Sequence, residues 1–213
     1  MQLSPEDQVG EQMIKPAYID SVQSFLGAIE QIKQDQWDSN ALDQWSFRDL
    51  VGHTGRSIKL VKEFGSQRSE SLDVQSAALH YQISLSPEGA NQRVAAGGVD
   101  AGNALGDDPV NHLKEAWIAT QETVHSTTED TVISYVNGGI KFGDYLRTRI
   151  LELVVHSIDL AQAMGINYEP PKEAMREALY LLADLAVDTP YASKLALIST
   201  GREISDTPFN VIG

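Results

Sequence analysis

Apolar residues recur every three to four positions over several long stretches of the chain, the period of a half-buried helix. Ile19, Val22, Phe25, Leu26, Ile29 and Ile32 form one such stripe and predict a helix over about residues 16–34, with Pro16 in its first turn. The segment "WDSNALDQW" (37–45) reads as a loop whose Trp37 and Trp45 fold back onto helix ends. A second helix is predicted over 46–65, where Phe47, Leu50, Val51, Thr54, Ile58, Val61 and Phe64 mark the buried face. Ser46 and Asp49 resemble a capping box at its start, and Gly65 is expected as its C-cap. A third helix follows the Asp107-Asp108-Pro109 cap and runs to about Thr127, lined by Val110, Leu113, Trp117 and Val124. Two short β-prone runs flank Asn137-Gly138-Gly139 and predict a small hairpin. A long helix from about Gly143 to Met164 comes next, closed by Gly165.

Pro170-Pro171 introduces a further helix lined by Met175, Ala178, Leu179, Leu182 and Leu185. A shorter helix is expected over Ala192–Ser199, then a closing extended segment, "GREISDTPFNVIG". The stretch from Ser66 to Asp108 is the least regular. Ser86-Pro87-Glu88 resembles a helix start, whereas Gly97-Gly98 and Gly102 argue against a long rigid helix. This pattern predicts an all-α helical bundle with small decorations and disfavours a parallel α/β fold, because strands and helices do not alternate. The 213 residues suit one domain or one domain with an appendage.

Composition adds few surprises and several exclusions. Hydrophobic residues make up 42% and charged residues 22%, ordinary values for a globular protein. No apolar run reaches the ~20 residues that span a bilayer, so no membrane partner is expected. The opening "MQLSPEDQVGEQM" is acidic and polar, without the apolar segment of a leader, which makes the cytoplasm the expected compartment. A net charge of -14 repels phosphate backbones and argues against nucleic acid as a partner. Cysteine is absent, so any metal must be held by His, Asp or Glu, and any thiol chemistry must use a thiol from outside the chain.

The chemistry worth pursuing lies in "RTRILELVVHSIDLAQAMG" (147–165). Glu152 and His156 stand four residues apart in the most apolar stretch of the chain. On a helix they share a face, with Cβ atoms about 5–6 Å apart. Burying a lone carboxylate costs several kcal/mol. A divalent cation offsets that cost, and imidazole nitrogen and carboxylate oxygen are both standard zinc ligands. The pair can equally be a hydrogen bond on a helix surface. Arg149, one turn before Glu152, is either its ion partner or a residue that steers an anionic ligand or cofactor. Asp159 is either a partner of His156 or the acceptor that orients a metal-bound imidazole.

A third ligand must come from another helix. Of the five histidines, His53 is the best placed by helix-face position, with His112 next; His80 and His125 look solvated. Three protein ligands leave a fourth position open, the mark of a catalytic zinc site.

These same segments carry a family resemblance. "WSFRDLVGHTG" resembles the W-(S/T)-x-R-D-L-V-x-H signature of the mycothiol-dependent maleylpyruvate isomerase N-terminal domain family, within the DinB-like superfamily. "RILELVVHSIDLAQAMG" is similar to its second signature, R-x-x-E-L-x-x-H-x-x-D-L-A-x-A-x-G, and "TGREISDTPFNVIG" looks like the tail of the metal-binding-protein subgroup. The resemblance implies a DinB-like four-helix bundle over residues 1–165, with a short helical extension over 166–213 in place of a further α/β domain. It implies that His53, Glu152 and His156 are the metal ligands, for zinc or another divalent metal such as nickel.

The activity it implies is that of a thiol-dependent isomerase or transferase. A low-molecular-weight thiol such as mycothiol or bacillithiol adds to a conjugated electrophile and then leaves. A non-catalytic metal-binding or regulatory bundle is the alternative, and a hydrolase using metal-bound hydroxide comes third. Leu181, Leu185 and Val187 are expected on the surface of the tail helix, available to a homodimer. The irregular stretch 66–108 is expected to cover the pocket.

Overall fold

The computed structural model describes residues 14–204 and 210–211. The acidic opening segment and most of the expected closing extended segment lie outside the described residues. The chain is mostly helical, with helices α1 Ile14–Ile29, α2 Phe47–Gly65, α3 Ala77–Leu85, α4 Ala90–Asn103, α5 Pro109–Ser126, α6 Phe142–Met164, α7 Lys172–Val187 and α8 Ala192–Ser199. Two antiparallel ribbons interrupt them, β1 Asn40–Leu42 with β2 Trp45–Ser46, and β3 Val132–Tyr135 with β4 Gly138–Lys141. Helices α1, α6, α2 and α5 pack in a ring, each against the next, and close a four-helix bundle. Helix α4 lies along α2, and α7 lies against α6 and α1.

The apolar stripes explain the ring. Tyr18, Phe25 and Ile29 of α1, Leu50 and Ile58 of α2, Leu113 of α5 and Leu146 and Ile150 of α6 are all fully buried in one continuous core. Two of the buried hydroxyls bond their own helix: Thr54 donates to the Leu50 carbonyl (2.7 Å) and Thr148 to that of Tyr145 (2.6 Å). Helix α2 begins on the expected capping box. Ser46 Oγ accepts from the Asp49 N–H (3.2 Å) and Asp49 Oδ2 from the Ser46 N–H (3.0 Å), a device worth about 1 kcal/mol.

Several boundaries differ from the sequence pattern, each for a physical reason. Helix α1 stops at Ile29. The chain turns there so that Trp37 can be buried while its carbonyl accepts the Arg48 N–H (2.9 Å). Gly65 is the last residue of α2 rather than its C-cap, which is Ser66 in a right-handed conformation. What demands glycine at 65 is space: a Cβ there would lie 2.6 Å from Thr123 Cγ2 on α5. Gly97, Gly98 and Gly102 do not break a helix but lie within α4. A Cβ on Gly98 would sit 2.6 Å from the Trp45 ring, and one on Gly102 would sit 2.7 Å from Asp49 Oδ1. The missing side chains let α4 approach α2 to backbone distance. Ser86 caps the end of α3, and α4 starts after Gly89, whose φ is +75°.

The hairpin turns at Val136-Asn137, with Tyr135 paired to Gly138. Leu181 and Leu185 are not surface residues; both are buried against the bundle, whereas Val187 is 71% exposed. The apolar residues Leu181 and Leu185 of α7 serve the chain's own core, because α7 has α6 and α1 to cover it.

Candidate metal centre

Helix α2 presents His53 and helix α6 presents Glu152 and His156 to one point between them. Nε2 of His53 lies 3.3 Å from Glu152 Oε2, and Nε2 of His156 lies 3.4 Å from the same oxygen. The two imidazoles meet edge to face, with ring centres 5.1 Å apart. One donor atom from each of the three residues falls within 4.8 Å of the others, an arrangement that could hold a metal ion. Two imidazole nitrogens and one carboxylate oxygen form a donor set suited to zinc and its neighbours.

The surroundings fix these side chains. Asp159 Oδ2 accepts from Nδ1 of His156 (2.9 Å), which turns the Nε2 of that ring toward Glu152. The second oxygen of Glu152, Oε1, accepts from the Tyr81 hydroxyl (2.7 Å) on α3. Trp45 lies over the His53 ring with centres 4.6 Å apart and donates its indole N–H to the Ala95 carbonyl (2.9 Å). It is wedged between α2 and α4, in the space that Gly98 leaves open. Nδ1 of His53 is buried and has no partner.

The local field sorts the charges. Burial alone raises the Glu152 carboxyl, but hydrogen bonds from His156 and His53, with the charges of His156 and Arg149, hold it well below the usual range. It is therefore an anion at neutral pH. His53 is lowered, chiefly by burial, against the raising effect of Glu152. The positive charge of Arg56 on the same helix works in the same direction as burial. His156 moves the other way. Burial lowers it, yet Asp159 and Glu152 together hold it up to about 9.

Not every candidate joins the cluster. Arg149 does not pair with Glu152. Its Nε donates to Thr148 Oγ1 (3.0 Å) and its guanidinium lies over the Tyr145 ring at 5.3 Å. Its charge still reaches Glu152 electrostatically. His112, on α5, is outside the donor group. His125 is exposed, as its polar surroundings suggested. His80 is buried rather than solvated: Nδ1 lies 3.0 Å from the Tyr135 hydroxyl, and the two rings stack.

Beside the donors is a cavity of about 480 Å³, within the range of small-molecule sites. His156 and Trp45 line it from the bundle side, and Leu85, Asn91, Val94 and Ala95 from α3 and α4. Asp43, Gln44 and Asn210 supply polar edges. The stretch that patterning left unreadable thus builds one wall of the pocket. It also supplies Tyr81, which sequence reasoning missed because no periodicity stands out in "AALHYQISL".

The model of the mycothiol maleylpyruvate isomerase N-terminal domain family matches residues 20–161, which include His53, Glu152 and His156. The chain belongs to that family. The family region runs from α1 through α6, the four bundle helices and the two between them. A solved structure described as the crystal structure of the mycothiol-dependent maleylpyruvate isomerase superposes with a TM-score of 0.53 at 13% identity. The match covers 86% of this chain and 72% of that one. That likeness establishes the fold, the DinB-like bundle expected from the two signatures. No curated protein matches the chain. Among the described residues no helix is long and apolar enough to cross a membrane.

Proposed function

We propose that the protein is a metal-dependent enzyme of thiol chemistry, an isomerase or transferase that uses a low-molecular-weight thiol such as mycothiol. In this reading His53, Glu152 and His156 hold one divalent cation, zinc or a neighbour such as nickel. The observation that carries the proposal is the convergence of three donors from two helices far apart in sequence, one of which, His156, also lines a cavity. Zinc bound there would act as a Lewis acid and favour the thiolate form of a thiol brought to the open position.

The chain's own residues have the other tasks. Asp159 holds the His156 ring in the orientation that directs Nε2 at the cation position. Glu152 stays ionised and brings the negative charge that makes a dication welcome in a half-buried site. Trp45, Leu85 and Val94 give the cavity apolar walls that limit water around a nucleophile. Arg149 sets a positive charge one turn from Glu152, where it favours an anionic cofactor or substrate group. The chain has no cysteine, so the nucleophilic sulfur comes from a cofactor. The division into a bundle over 1–165 and an extension over 166–213 belongs to this proposal.

One observation favours a second reading, a non-catalytic metal-binding or regulatory bundle. Glu152 and Asp159 already satisfy both nitrogens of His156, so the cluster needs no substrate to be stable. Consumption of a conjugated enone by zinc-loaded protein with mycothiol separates the two. The enzyme reading predicts a rate at least ~100-fold above that of His156→Ala, of the size expected when a metal ligand is lost. Equal rates would favour the non-catalytic bundle.

A further inference from the structure

Tyr81 is the residue on α3 that reaches the donor cluster. It is 6% exposed, and its hydroxyl stands 2.7 Å from Glu152 Oε1 and 3.2 Å from the Thr148 carbonyl. A phenol carries one proton, and the shorter distance assigns it to the carboxylate. Burial first, and then the negative charge of Glu152, push the phenol well above its ordinary value.

The two oxygens of Glu152 thus have different work. Oε2 faces both imidazoles, while Oε1 is held by Tyr81. A glutamate side chain has three rotatable bonds and loses much freedom when fixed. Here α6 supplies the backbone of Glu152 and α3 supplies the clamp on its far end. We propose that Tyr81 is a positioning residue for the metal site: it anchors Oε1 so that Glu152 offers a single oxygen, Oε2, to the cation and leaves the fourth position open. The proposal rests on the reading of His53, Glu152 and His156 as a metal site. It assigns to α3, which carries no metal ligand, control over how many positions the cation has left for a ligand. Tyr81 acts on the metal through Glu152 and not on substrate.

The test uses the full-length protein and two probes, zinc for affinity and cobalt(II) for geometry. Tyr81→Phe keeps the ring and removes only the hydroxyl. Competition against a chelator should show zinc binding weakened by about 10- to 100-fold, the usual effect of losing a group that orients a ligand. With Oε1 free to join the metal, the visible bands of four-coordinate cobalt should weaken and shift in the variant. A purely structural role predicts a lower Tm of the metal-free protein with zinc affinity and the cobalt spectrum unchanged, and that result overturns the proposal. If Tyr81→Phe does not fold by circular dichroism, Tyr81→Met fills the same space without a donor and takes its place. Wild-type protein that binds neither metal refutes the metal-site reading itself; wild type that binds and a variant that binds identically refute only the role of Tyr81.

Discussion

Nε2 of His53 and Oε2 of Glu152 lie 3.3 Å apart, although 99 residues separate them in the chain. The approach is made possible from both sides. On α6, Glu152 is held from behind by Tyr81. On α2, Gly52 precedes His53 and lies so close to Gly102 of α4 that a Cβ would collide with its backbone. His53 is therefore carried on a helix pressed between α4 on one side and α6 on the other.

Adding a side chain to that contact is not neutral. Gly52→Ala should force α2 and α4 apart, cost about 1–3 kcal/mol as other overpacked sites do, and weaken metal binding by moving His53. Gly27, exposed in α1 with nothing within 4 Å of its would-be Cβ, provides the control. Gly27→Ala should stabilise by about 0.5–1 kcal/mol through helix propensity. Denaturant midpoints of the two variants should move in opposite directions.

Asp159 orients His156 without occupying the donor position itself. Asp159→Asn keeps the shape but removes the charge, and its amide can present a donor where the ring needs an acceptor. Metal affinity should fall by about 10- to 100-fold. Calorimetric titration with zinc checks this, and an unchanged Kd would reduce Asp159 to a surface partner.

His80 makes the fold sensitive to acid. In the folded protein its pKa is lowered to about 3, first by burial and then by the charge of Arg149, with Glu152 opposing. The unfolded chain takes up a proton near the ordinary 6.5. Below that pH the unfolded state binds more protons, so this stabilisation is complete above about 6.5 and is lost as pH falls toward 3. Tyr135, whose hydroxyl meets the ring, remains neutral throughout. His80→Gln cannot titrate, and between pH 7.5 and 5 it should lose about 2 kcal/mol less stability than wild type. Parallel urea titrations at the two pH values measure the difference.

How much of this was legible in the sequence depended on what each residue had to do. The bundle helices announced themselves by stripes such as Leu50–Val51–Ile58 and by local chemistry at their ends, including the Ser46–Asp49 box and Gly165, whose φ is +68°. The i, i+4 spacing of Glu152 and His156 was equally plain. What stayed hidden were contacts made at long range. Gly98 and Gly102 look like helix breakers, because the Trp45 ring and the α2 backbone that need their emptiness are some fifty residues away. His80 reads as polar until Tyr135 is brought to it from 55 residues on. Tyr81 sits in a stretch without periodicity, and nothing local marks it as a partner of Glu152, 71 residues later.

The central claim is that His53, Glu152 and His156 together bind one cation. Elemental analysis of protein purified without chelator and without added metal tests it most directly. The account predicts close to one divalent ion per chain in wild type, with His53→Ala and Glu152→Ala nearly empty and His112→Ala fully loaded. A folded wild-type protein without stoichiometric metal, or the same metal content in all four proteins, would contradict it.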